Sequence, residues 1–205
     1  MASLVQSKVS EEQLQQDLEK YRSRAIELGA TDAKIIATEA IVLDERARAK
    51  CRFPTCKLYN TNTNCPPYTM PVREFREVVN GYSHAIFFKV DITSGSFADF
   101  DRVNKYDVTD IVWRIESEAF YDGYYFATGF GSTGCKNIFC PDTRCSVIDG
   151  GSCRYPWKAR PGMHGVGFDV YRMAAEAGWP LYPVGPSTDP AGTPHMSCFG
   201  IVLVY

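Results

Sequence analysis

The sequence predicts an α/β fold: a layered sheet with flanking helices, and cysteine-rich metal-binding loops at one end. Three observations carry this expectation. Helical and strand-like hydrophobic periods alternate along the chain, which implies layers rather than a bundle or a sandwich. The 205 residues are enough to bury one core and too few for two, so residues 1–205 are expected to form a single α/β domain. Seven of the eight cysteines fall in two irregular segments, about 51–67 and 129–161, which read as insert loops on that scaffold.

The elements follow in order. Ser10 followed by Gln13 is a capping-box pattern, and Leu14, Leu18, Tyr21, Ala25 and Leu28 recur at helical spacing until Gly29 stops the run. Ala33 to Leu43 carries strand-like β-branched residues, and Asp44 caps a short helix that delivers Cys51. Pro71 opens a helix through Phe75 and Val79, and His84 to Val90 reads as a buried strand. One long amphipathic helix is predicted from Phe97 to Tyr121, with Phe100, Val103, Val108, Ile111, Val112, Ile115 and Ala119 on one face. A strand from Tyr124 to Thr128 follows, then Gly129, Gly131 and Gly134 break the pattern. A helix from Met163 to Ala177 ends at Gly178 and Pro180, and two strands are expected, Leu181 to Val184 and Cys198 to Tyr205.

Composition removes several classes of function. Hydrophobic residues make up 45% of the chain and charged residues 22%, which excludes disorder and coiled coil. A net charge of -2 argues against a nucleic-acid partner, because phosphate contacts need a basic excess. No apolar run approaches the roughly 18 residues of a membrane span. The opening MASLVQSKVSEEQLQQ lacks the apolar core and cleavage site of a secretory leader, so a cytoplasmic location is expected. In that reducing setting clustered thiols point to metal or redox chemistry rather than disulfides.

The second group reads Cys135-x4-Cys140-x4-Cys145-x7-Cys153. Four thiolates on a Gly- and Pro-punctuated loop match the needs of a tetrahedral zinc or a 4Fe-4S cube, since each ligand must turn inward on one centre. These gaps exceed those of compact zinc knuckles, and Cys140-Pro141 resembles the Cys-Pro step of ferredoxin loops. The first group, Cys51, Cys56 and Cys65, has only three thiols. Either Cys198, His84, His164 or His195 completes it, or one coordination position is open to a ligand. By its sequence context Cys198 is expected in the core, ahead of the apolar run to Tyr205.

Charge supports the iron-sulfur reading. A thiolate-held cube is anionic and needs cationic or hydrogen-bonding compensation when buried. From Arg46 to Arg73 there is no acidic residue, against Arg46, Arg48, Lys50, Arg52, Lys57 and Arg73; from Gly150 to Phe168 there is again none, against Arg154, Lys158 and Arg160. Gly129, Gly131 and Gly134 have dinucleotide-fingerprint spacing, but Cys135 follows directly, so they are read as room for the cluster loop. Arg52, Lys57 and His164 are the candidates for a catalytic role.

The strings CRFPTCKLYNTNTNCPP and GCKNIFCPDTRCSVIDGGSCRYPWKARPGMHGVGFDV resemble the two signature blocks of an uncharacterised family described only as predicted metal-binding proteins, mostly of anaerobic bacteria and archaea. The resemblance runs from about Cys51 to the C-terminus. It implies metal or iron-sulfur binding by Cys51, Cys56, Cys65, Cys135, Cys140, Cys145 and Cys153, a cytoplasmic location and anaerobic physiology. It names no reaction.

The sequence therefore predicts an iron-sulfur redox protein with two 4Fe-4S clusters. One is a four-cysteine relay; the other is a three-cysteine cluster whose open iron takes a small ligand, a sulfur-containing one among the candidates. A redox partner protein is expected. The alternatives are an electron carrier with saturated clusters, or a zinc-binding structural module.

Overall fold

The computed structural model describes residues 9–93, 97–183, 188–189 and 192–205. The reading of the leaderless start falls largely on residues 1–8, outside the described residues.

Helix α1 (Glu11–Glu27) begins where the capping box places it: Ser10 Oγ accepts from Gln13 N at 3.2 Å, and Leu14, Leu18, Tyr21 and Ala25 are buried. Strand β1 (Asp32–Ala37) is shorter than the apolar run, because a 3-10 turn at Thr38–Ala40 interrupts it; Leu43 rejoins only as a single bridge to Phe168. Helix α2 (Glu45–Ala49) is capped by Asp44, whose carboxylate accepts from Arg46 N at 2.7 Å. Helix α3 (Val72–Val79) and strand β2 (His84–Ile92) lie as expected.

The long helix is not continuous. It divides into α4 (Phe97–Arg102), a π turn (Val103–Asp107) and α5 (Val108–Tyr121). Val103 and Val108, five residues apart, are both buried, and the bond from Val108 N to Val103 O sets them on one side where an α-helix would splay them apart. The strand expected from Tyr124 to Thr128 is also displaced. Tyr124 and Ala127 are bonded in turns that close α5, and β3 covers only Thr128–Phe130. Gly129 thus lies inside the strand, where a Cβ would come within 2.4 Å of Val112 Cγ1, so its lack of side chain lets α5 pack close.

After the short helix α6 (Lys136–Phe139), the helix expected from Met163 to Ala177 is two: α7 (Met163–Val166) and α8 (Val170–Glu176). Gly167 at φ 103° ends the first, and Asp169 caps the second by accepting from Arg172 N. Strand β4 is Met196–Leu203, and Leu181–Pro183 form no strand, while Val184 lies outside the described residues.

The sheet order is β1-β2-β4-β3 and every pairing is antiparallel. Alternate side chains of β2 and β4 serve opposite faces. Ile86, Phe88, Cys198 and Val202 join α1 and α5 in one core, and Phe87, Phe199, Ile201 and Leu203 join α3, α7 and α8 in the other. Burial on both faces makes helix-sheet-helix layers, as the alternation of periods predicted.

Candidate metal centre

Helix α2 ends just before Cys51, and the chain then runs through consecutive turns: Cys56 N donates to Cys51 O at 3.0 Å and Cys65 N to Asn62 O at 3.2 Å. Cys51 is half-buried, Cys56 exposed and Cys65 buried. Burial pushes the Cys65 thiol up to about 12; a hydrogen bond with Asn62 opposes this, and the neighbouring Cys135, Cys51 and Cys56 add to it. Burial likewise raises Cys51, with Cys56 adding and Arg48 opposing. The Arg48 guanidinium bridges Pro67 O and Thr69 O through Nη2, at 3.2 and 3.1 Å. Its Nε is buried with no hydrogen-bond partner. An orphaned cationic donor beside Cys51 suits an anionic group at these thiols, since a buried donor left unpaired costs about 1–3 kcal/mol.

Strand β3 passes into the second loop, whose ends are held together by Gly131 N donating to Pro161 O and Met163 N donating to Gly131 O. Cys135, Cys140, Cys145 and Cys153 all line one narrow cavity of about 20 Å³, together with Asn62, Asn64 and other loop residues. Burial pushes Cys135 up to about 11, against an opposing hydrogen bond from Asn64 and with Cys153, Cys145 and Cys140 adding. At Cys145 burial works upward too, but hydrogen bonds from the Thr63, Ile148 and Val147 backbone leave its pKa lowered. Asn64 Nδ2 donates to Cys135 Sγ at 3.2 Å and Tyr155 N to Cys153 Sγ at 3.4 Å. Such N–H donors to sulfur are the protein's means of stabilising an anionic thiolate centre.

No residue from Cys135 to Pro161 is buried. The loop is tied instead by polar contacts, including Ser146 Oγ to Ser152 O at 2.7 Å and the Phe139–Tyr155 ring stack at 5.2 Å. At its base Arg160 forms an ion pair with Glu116 of α5, and Glu116 also accepts Gly129 N at 2.7 Å. Among the described residues no three His, Cys, Asp or Glu side chains are set for a single metal ion. A segment without buried side chains can close on a ligand with little repacking cost, and four thiols lining one cavity are the donor type that a thiophilic metal or cluster takes.

The two loops touch. A Cβ on Gly134 would stand 2.4 Å from Cys65 Sγ, so Cys65 occupies the space beside Cys135 that the missing side chain leaves. Asn62, 1% exposed, has its Oδ1 3.8 Å from Cys135 Sγ and also bonds Cys65. Helix α7 lies under both loops, with Gly162 against Thr133 and Gly165 against Pro66 and Asn64.

The other candidates lie elsewhere. Cys198 is in the α1/α5 core, its pKa pushed up to about 12 by burial, with Asp107 and Asp91 adding. His84 Nδ1 bonds Ser83 Oγ at 2.8 Å and His195 Nε2 bonds Pro180 O at 3.2 Å. His164 lines a different cavity from the four thiols. Arg52 is exposed with its guanidinium over the Phe53 ring, and Lys57 is exposed next to Cys56.

Sequence reasoning missed Asn62, Asn64 and the special place of Arg48. The signal was there: alternating Asn and Thr directly before Cys65 supply short side chains that donate to sulfur, and Arg48 precedes Cys51 by one helical turn.

A protein-family model described as "Predicted metal-binding protein (DUF2284)" matches residues 34–204. No curated protein and no solved structure matches the chain.

Proposed function

The chain belongs to the DUF2284 family of predicted metal-binding proteins, and from that premise we propose that it is an iron-sulfur redox protein holding two 4Fe-4S clusters. The observation that carries this is that Cys135, Cys140, Cys145 and Cys153 all line one cavity, with backbone and asparagine N–H groups directed at the sulfurs. Hydrogen bonds to sulfur are among the means by which a protein tunes an iron-sulfur centre, and they are present at these thiols.

When bound, such clusters supply one-electron transfer, and a cube held by three cysteines leaves one iron to take a small ligand. The residues here do the rest. Cys135 to Cys153 hold the relay; Asn64, Thr63 and Tyr155 stabilise its thiolates. Cys51, Cys56 and Cys65 hold the second centre, and with Cys198, His84 and His195 engaged elsewhere that centre keeps a position for a small ligand, a sulfur-containing one among the candidates. Exposed Cys56, with Arg52 and Lys57 beside it, faces solvent and favours an anionic one. A redox partner protein would deliver or remove the electrons.

Purification without oxygen followed by iron, acid-labile sulfide and absorption measurements tests this reading. Brown protein with iron and sulfide in equal amounts supports it. Colourless protein holding stoichiometric zinc and no sulfide overturns it.

A further inference from the structure

A second cavity, apart from the thiols, has features that the metal chemistry does not use. It has a volume of about 160 Å³. That is room for about five water molecules, or one small organic molecule. Three departures from regular structure meet there. The π turn supplies Asn104, the root of the second cysteine loop supplies Ser132, and α7, cut short by the left-handed Gly167, supplies His164. π turns recur at functional sites because the extra residue costs helix stability and so persists where its placement is used. Here it gives Val103 to the core and leaves Asn104 on the cavity wall.

His164 is the unexplained group. The other two histidines have hydrogen-bond partners, but neither ring nitrogen of His164 has one among the described residues. Its ring is packed closely enough that burial lowers its pKa, with Asp169 opposing, so the imidazole in the cavity is neutral. A neutral imidazole offers one N–H donor and one acceptor nitrogen, and at half-buried His164 neither is taken by the protein among the described residues.

The remaining lining narrows the ligand. No lining residue carries a formal charge. Ser197 has its hydroxyl proton committed to Asp91 Oδ1 at 2.6 Å, so its oxygen is left as an acceptor. Met163 and Phe199 form an apolar wall. An anion would find no cation and a cation no carboxylate. A pure hydrocarbon would leave His164, Asn104 and Ser132 unpaired.

We infer that this cavity is a binding site for a small uncharged molecule bearing a primary carboxamide, with His164, Asn104 and Ser132 as its polar recognition groups. The carboxamide oxygen accepts from the His164 or Asn104 N–H, its NH2 donates to Ser132 and Ser197 oxygens, and its short aliphatic part lies on Met163 and Phe199. Such a pattern, a few convergent polar groups in an otherwise apolar hollow, is how small-molecule sites are built. The site stands independently of which metal the cysteines hold.

Propionamide and propionate have the same number of heavy atoms and differ in charge, so they form the test. Ligand-observed NMR on the full chain as purified, with and without its metal, should show saturable propionamide binding and at least tenfold weaker binding of propionate. His164→Phe and, separately, Asn104→Leu should each weaken propionamide at least fivefold, with thermal unfolding confirming that each variant is folded. The inference is overturned if propionamide does not bind saturably, if propionate binds equally well, or if the folded variants bind as the parent does. Because the measurement reads the cavity and not the metal, its failure leaves the iron-sulfur proposal untouched, and the colour test leaves the cavity untouched.

Discussion

Gly134→Ala is the sharpest single test of the contact between the two cysteine groups. The new Cβ would lie 2.4 Å from Cys65 Sγ, whereas ordinary contact begins near 3.4 Å, so the thiol must retreat by about 1 Å. Asn64 O at 3.4 Å and Asn62 Oδ1 at 3.9 Å close off the neighbouring directions. Overpacking of this kind costs about 1–3 kcal/mol. Metal ligands tolerate displacements of only about 0.5 Å, so the larger effect should fall on metal content. Gly131→Ala is the matched control, since its Cβ would meet nothing nearer than 3.6 Å. Metal per chain by mass spectrometry and stability by urea unfolding are the measurements. The expected result is that Gly134→Ala loses metal at the Cys51–Cys65 group and 1–3 kcal/mol of stability, while Gly131→Ala changes neither. If Gly134→Ala keeps the parent's metal content and stability, Cys65 does not sit where described, and the reasoning about touching centres fails.

Serine at Cys135, Cys140, Cys145 or Cys153 should each lower metal content and make residues 135–161 susceptible to limited proteolysis, because nothing buried orders that segment; four fully metallated, resistant variants would dismiss the site. Glu116→Gln should cost about 3 kcal/mol in urea unfolding, since it strands a partly buried Arg160 and weakens the bond to Gly129 N; a loss under about 0.5 kcal/mol, the scale of an ordinary surface change, would show the pair to be solvated. Cys198, with its pKa pushed up to about 12, favours the neutral thiol in the fold. Its contribution is whole below the ordinary thiol value of about 8.5 and is lost as pH rises toward 12, so the parent should lose stability more steeply across that window than Cys198→Ala. Parallel slopes would contradict this, and metal content equal to the parent's is expected of that variant.

The layered fold was legible because Leu14, Leu18 and Tyr21, or Ile86 and Phe88, obey periods set by burial on one side. The errors came where the backbone departs from those periods for reasons the periods do not encode. Val103 and Val108 both read as helical core, and nothing local says that a π turn reconciles them. Gly129 looked like a breaker, yet its meaning lies in Val112, which belongs to a different element. Gly167 was hidden inside an amphipathic pattern that continues across it. At the site, cysteine spacing identified the two groups, but their contact through Gly134 and Asn62 is a product of tertiary folding and leaves no spacing signature.

Asn62 has a further consequence for how the protein is assembled. Its one side chain is engaged with a thiol from each group. If both groups load as proposed, metal at Cys135 removes the thiol proton that Asn62 Oδ1 accepts, so the side chain that also bonds Cys65 would be released by an event at the other group. By thermodynamic reciprocity the coupling would run equally in both directions, and an asparagine, rather than a ligand, would link the loading of the two groups.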